Sequence, residues 1–187
     1  MRLPPSGGAR QLGAKLAHMA DVDQIFLSEE ILALMRNAAV IATRLKEPFI
    51  TIRTLLIALL EDAQLGEKLA EALPREKLEE YALPAEAAQR LTASRVQESK
   101  MQPGEKAALL RFNTLAFKVP ESTKSVWLSR EAYQVWNEGA KRVEDGAKYM
   151  PKHLAFGIAA DAVKSPGVLT ELKISPGDVN EAILAIE

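Results

Sequence analysis

Apolar residues recur at intervals of three and four from Ile31 onward: Ile31, Leu34, Met35, Ala38, Ala42 and Leu45. That spacing lays one apolar stripe along a helix and turns Glu29, Arg36 and Arg44 elsewhere. Ser28 stands where a hydroxyl can accept from the free amides of the first turn. Pro48 closes the run, because the residue before a proline resists helical angles. A second apolar helix is expected around Ile52–Glu61, carrying Leu55, Leu56, Leu59 and Leu60. Two shorter helices follow around Glu67–Leu73 and Arg75–Leu83, with Pro74 ending one and opening the next.

The same order returns about a hundred residues later. Ser129 caps a stripe of Ala132, Val135, Trp136, Ala140 and Val143. Pro151 opens a helix with Leu154, Phe156, Ile158 and Ala159, and Ser165-Pro166 starts a short one with Val168, Leu169 and Leu172. Ser175-Pro176-Gly177-Asp178 combines an N-cap serine, a first-turn proline and a carboxylate three residues on, and launches Val179, Ile183 and Ile186. Phe26-Leu27-Ser28 aligns with Trp127-Leu128-Ser129 at an offset of 101, and Thr54–Leu59 with His153–Ile158 at an offset of 99. The difference falls in the loop after the first helix, where length changes cost little. The expected fold is therefore all-α, a pseudo-two-fold duplicated four-helix repeat. Residues 1–25 form an N-terminal tail with one weak helix through Leu12, Leu16 and Met19. Residues 26–83 are the first repeat and 127–187 the second, packed as one domain. Residues 84–126 are a linker with helices near Ala85–Gln97 and Glu105–Leu110; within it Leu109–Val119 is apolar enough to touch the core or to pair briefly as an extended stretch.

Composition narrows the function. The 187 residues are 48% hydrophobic and 26% charged, which suits a globular chain with a core of its own. A formal net charge of −1 supplies no overall field toward nucleic acid or anionic lipid. There is no cysteine, so disulfides, thiolate chemistry and Cys-ligated zinc are excluded, and a cytoplasmic location is expected. No apolar run nears the ~18 residues that span a bilayer.

The second half carries Lys152-His153-Leu154-Ala155-Phe156-Gly157-Ile158, followed by Ser165-Pro166-Gly167-Val168-Leu169-Thr170-Glu171-Leu172-Lys173-Ile174. The first half carries Phe26-x-Ser28-Glu29 and Ala38-x-x-x-Ala42. Together these resemble the double-repeat N-terminal domain of the Clp unfoldases. The likeness covers Phe26–Leu83 and Trp127–Ile186. It implies a rigid helical body that binds substrates or adaptor proteins for an ATP-driven ring. The chain holds no Gly-x-x-x-x-Gly-Lys-Ser/Thr loop, and Gly104-Glu105-Lys106 lacks the spacing to cradle phosphates. The resemblance is thus to the freestanding members, such as small accessory subunits of plastid Clp complexes. In the family a glutamate precedes each His-Leu-Leu and helps bind phosphorylated arginine; here those positions are Arg53 and Lys152. A cation does not suit a guanidinium, so an acidic peptide, a carboxyl terminus or a phosphate is the ligand those positions would favour.

Each candidate has a plainer alternative. His153 lacks companions for a metal site or a general base and reads as a first-turn structural histidine. Ser28 and Ser129 read as caps rather than nucleophiles. The carboxylates of Glu61-Asp62, Glu79-Glu80 and Glu144-Asp145 read as solvated. Tyr133 and Trp136 share one helical stripe and read as core, whereas Trp127, just outside the helix, is a better contact residue. Arg53 and Lys152 are either functional cations or solvated side chains at helix starts. The expectation is a non-catalytic protein-binding module, an accessory or adaptor for a Clp chaperone–protease or its substrates, with no cofactor, no metal, and no nucleic-acid or membrane partner. Arg53, Lys152 and Trp127 are its candidate partner-binding residues. The alternative is a regulatory or sequestering interaction domain that keeps the fold without Clp.

Overall fold

The structure, a computed structural model, describes residues 25–81, 116–164 and 168–185. The expected tail helix through Leu12, the linker helices near Ala85–Gln97 and Glu105–Leu110, Ser165-Pro166 and Ile186 lie outside the described residues.

The chain runs β1 (Phe26–Leu27), α1 (Glu29–Arg44), α2 (Ile52–Leu60), α3 (Gly66–Leu69), α4 (Arg75–Glu80), β2 (Ala116–Lys118), β3 (Ser125–Trp127), α5 (Arg130–Ala140), β4 (Lys148–Tyr149), α6 (Pro151–Lys164), α7 (Val168–Glu171) and α8 (Pro176–Leu184). Among the described residues the fold is mostly helical, but four strands of two or three residues correct the all-helical expectation. Such strands arise because an N-cap residue takes extended angles: Ser28, Thr51 and Ser129 have ψ of 160°, 170° and 163°. The residues leading into them are drawn out alongside and find backbone partners. β1 pairs in parallel with β4, Phe26 opposite Lys148 and Leu27 opposite Tyr149. Ile50 forms a parallel bridge with Leu128. β2 and β3 form an antiparallel hairpin, which bears out brief pairing at the end of Leu109–Val119.

The capping serines behave as the sequence implies. The Ser28 hydroxyl accepts from the Ile31 amide and the Ser129 hydroxyl from the Ala132 amide, both at 3.2 Å. Ser175 accepts from Asp178 at 3.4 Å. The predicted apolar faces are buried: Ile31, Leu34, Met35 and Ala38 on α1, and Ala132, Val135 and Trp136 on α5. One apolar cluster gathers α1–α4 together with α5, α6 and α8. At its centre Tyr149 is fully buried, stacked on Trp136 with ring centroids 4.3 Å apart and donating its hydroxyl to the Trp136 carbonyl. Burial raises the Tyr149 pKa far above its usual value, so the phenol stays neutral.

Candidate functional site

The two sequence-selected cations occupy the first turns of α2 and α6, at two separate strand–helix junctions. They differ sharply. Arg53 is only 5% exposed, against the expectation of an open or solvated side chain. Its Nε lies 2.9 Å from Oε1 of Glu47, itself 8% exposed. The N–H does not point along that line, so the contact is between charges rather than an aligned hydrogen bond. Glu47 Oε2 accepts from the Thr51 hydroxyl at 2.6 Å, and Thr51 in turn caps α2 in a reciprocal pair with Thr54.

The end of α1 holds Glu47 there. Lys46 takes φ of 57°, Leu45 donates to the Ile41 carbonyl at 2.9 Å, and Glu47 donates to Ala42 at 2.8 Å. That wrap-around termination turns the chain and drives the Glu47 carboxylate inward. The face of Tyr81 covers the Arg53 guanidinium at 5.9 Å, and the Tyr81 hydroxyl donates to Glu171 of α7. Burial first, and then Glu171, push the Tyr81 pKa up to about 12. A relay Thr51–Glu47–Arg53–Tyr81–Glu171 thus runs from α2 to α7. Sequence reasoning missed Glu47 and Tyr81: a glutamate before proline looks like any loop charge.

Lys152 has a different setting. It is half-buried and has no ion pair among the described residues. Its neighbour His153 is buried, with Nδ1 accepting from the Met150 amide at 2.9 Å. An acceptor Nδ1 leaves the neutral ring its proton on Nε2. His153 therefore completes the start of α6 as Thr54 completes that of α2. Burial, followed by the Lys152 ammonium, holds its pKa below the usual histidine value. Trp127 is half-buried on β3, and its carbonyl accepts from the Ile50 amide at 2.8 Å, beside the lead-in to α2.

Between α3 and α4 on one side and α8 on the other lies an open groove of about 820 Å³. Ala72, Ile174 and Ala182 contribute apolar surface to it; Glu71, Asp178 and Glu181 line it beside Lys68, Lys77 and Lys173. Lys68 crosses it to the Ala185 carbonyl at 3.2 Å. Among the described residues no three histidine, aspartate or glutamate side chains converge on a metal position, and no helix is long and apolar enough to cross a membrane.

No protein-family model matches the chain, and no curated protein matches it.

Proposed function

We propose that this chain is a protein-binding module of the Clp N-terminal type, acting in the cytoplasm on a Clp chaperone–protease or its substrates and carrying out no chemistry itself. The observation that carries this reading is the exchange of backbone partners between the two halves. The offset of 101 takes Leu27 to Leu128, and the offset of 99 takes Ile50 to Tyr149. The bridge Leu27–Tyr149 therefore maps onto the bridge Leu128–Ile50. Each half supplies, from just before its first helix, the backbone partner of the stretch that precedes the other's second helix. That supports a duplicated repeat packed as one rigid unit, a body suited to presenting a surface rather than to moving atoms.

The binding surface we favour is the start of α6. Lys152 remains available there to an acidic or carboxyl-terminal peptide, and Trp127 is the candidate apolar contact at the other junction. Arg53 is a weaker candidate for direct contact, because Glu47 already neutralises it.

The test is capture from the native host's lysate with this protein as bait, wild type beside Lys152→Glu, with bound proteins identified by mass spectrometry. Near-stoichiometric recovery of a Clp ATPase or peptidase, reduced by Lys152→Glu, is expected. Reproducible recovery of another partner with no Clp component would overturn the Clp assignment in favour of a separate regulatory or sequestering role.

A further inference from the structure

We infer that α4 is a strap fastened over the core by one buried leucine and a salt-screened ring of charge, which opens as a unit while the rest of the protein stays folded. α4 has six residues, too few to be stable as a helix by themselves. Pro74 stands at its N-cap with no side-chain hydrogen bond to the first turn. Leu78 is its one buried residue. α3 and α7, of four residues each, are anchored more firmly: Leu65, Leu69 and Leu73 are buried in and around α3, and Leu169, Leu172 and Ile174 in and around α7.

A ring of polar contacts supplies what α4 lacks in apolar anchors. Arg75 donates through Nη2 to Glu61 at 2.6 Å and through Nε to Glu79 at 3.0 Å. Glu61, at the end of α2, also accepts from Asn37 of α1 at 2.7 Å. Glu79 lies 3.7 Å from Arg44, at the end of α1. The ring Asn37–Glu61–Arg75–Glu79–Arg44 therefore closes α4 onto both α1 and α2. Its side chains are substantially exposed, so salt screens them. At its far end the strap is held by the hydroxyl of Tyr81 on Glu171. Opening lifts Leu78 from its seat and parts the Tyr81 contact, baring an apolar patch at the edge between the two halves. Ionic strength, or a charged partner competing for Arg75 or Glu79, sets how often that patch is available. None of this depends on which protein the chain binds.

Amide hydrogen exchange on the whole protein, resolved by peptide, tests it at roughly 0.01 M and roughly 1 M salt, where the screening length falls from about 30 Å to about 3 Å. Rates are taken relative to the unfolded peptides in the same salt. The amides of residues 75–81 should exchange faster than those of α1, α2 and α6, and roughly three- to tenfold faster again in high salt. Arg75→Ala should be fast in both and lose most of the salt response. Leu78→Ala should also be fast but keep it, because the ring remains. Exchange of 75–81 at the core rate, indifference to salt, or an undiminished salt response in Arg75→Ala would each overturn the proposal.

Discussion

Gly157 on α6 meets Val135 on α5 so closely that a Cβ at Gly157 would stand 2.1 Å from the Val135 carbonyl oxygen. The contact is mutual, since a Cβ at Gly139 would lie 2.3 Å from the His153 carbonyl oxygen and 2.5 Å from the Tyr149 hydroxyl. The two backbones therefore touch where α5 crosses α6. In the first half the aligned positions are Ala38 and Ala58, both buried.

Gly157→Ala and Gly139→Ala should each cost about 3 kcal/mol or more, the upper end of what overpacking costs, because backbone, unlike a flexible side chain, cannot step aside. Gly146→Ala is the control. Its φ of 77° strains a methyl-bearing residue, but nothing lies within 4 Å of the new atom. A loss of about 1–2 kcal/mol is expected there, from backbone angles alone. Urea denaturation followed by tryptophan emission would compare the three. Equal losses would refute the crossing argument.

The buried pair Glu47–Arg53 should respond to single and double replacement in opposite ways. Removing one charge strands the other in a water-poor site, at about 3–5 kcal/mol. The pair Glu47→Leu with Arg53→Met leaves no orphan charge and should recover at least half of the larger single loss. Additive losses would mean that Glu47 and Arg53 act independently, which their geometry denies.

Acid should weaken the protein through His153. The folded pKa lies below the ordinary value of 6.5, so between the two values the unfolded chain holds a proton that the folded one refuses. This contribution is complete above about 6.5 and declines as the pH falls. A proton on Nδ1 would also expel the Met150 amide. His153→Thr places a hydroxyl acceptor where Thr54 has one in the first half. It should remove this part of the acid-side loss while keeping the helix start. His153→Ala should also remove it and cost about 1 kcal/mol near neutral pH, the usual worth of a capping acceptor, with the difference from wild type narrowing in acid. Thermal melts across pH 5–8 decide the matter; an unchanged acid slope in both variants would exclude His153 as its source.

Ser28→Ala and Ser129→Ala should each lose about 1 kcal/mol, and the glycine variants only a few tenths. Equal losses for alanine and glycine would point to something other than the cap.

The helices and caps could be read in advance because they depend on neighbours in sequence. Three- and four-residue spacing marked the stripe from Ile31 to Ala42, and serine ahead of such a stripe marked its start. The pairing of β1 with β4 could not be read, because two residues carry no period and their partners lie about a hundred positions away. Tyr149, the fully buried centre of the core, sits in Lys148-Tyr149-Met150-Pro151, which looks like a loop. The candidate site was half legible. The positions of Arg53 and Lys152 at two helix starts followed from the offset. That Glu47 would neutralise one and not the other depended on how α1 ends.

The exchanged strands make the integrity of each half a property of the other. Residues 26–27 have their backbone partners at 148–149, and residue 50 has its partner at 128. Neither half alone can complete these contacts, yet both sets of partners would be present if the halves were supplied as separate polypeptides. The covalent connection raises the local concentration of one half around the other, while the pairing itself carries the instruction for assembly. Two fragments divided between residues 81 and 116 would therefore be poorly ordered apart and recover the native register when mixed, a non-covalent heterodimer encoded within a single chain.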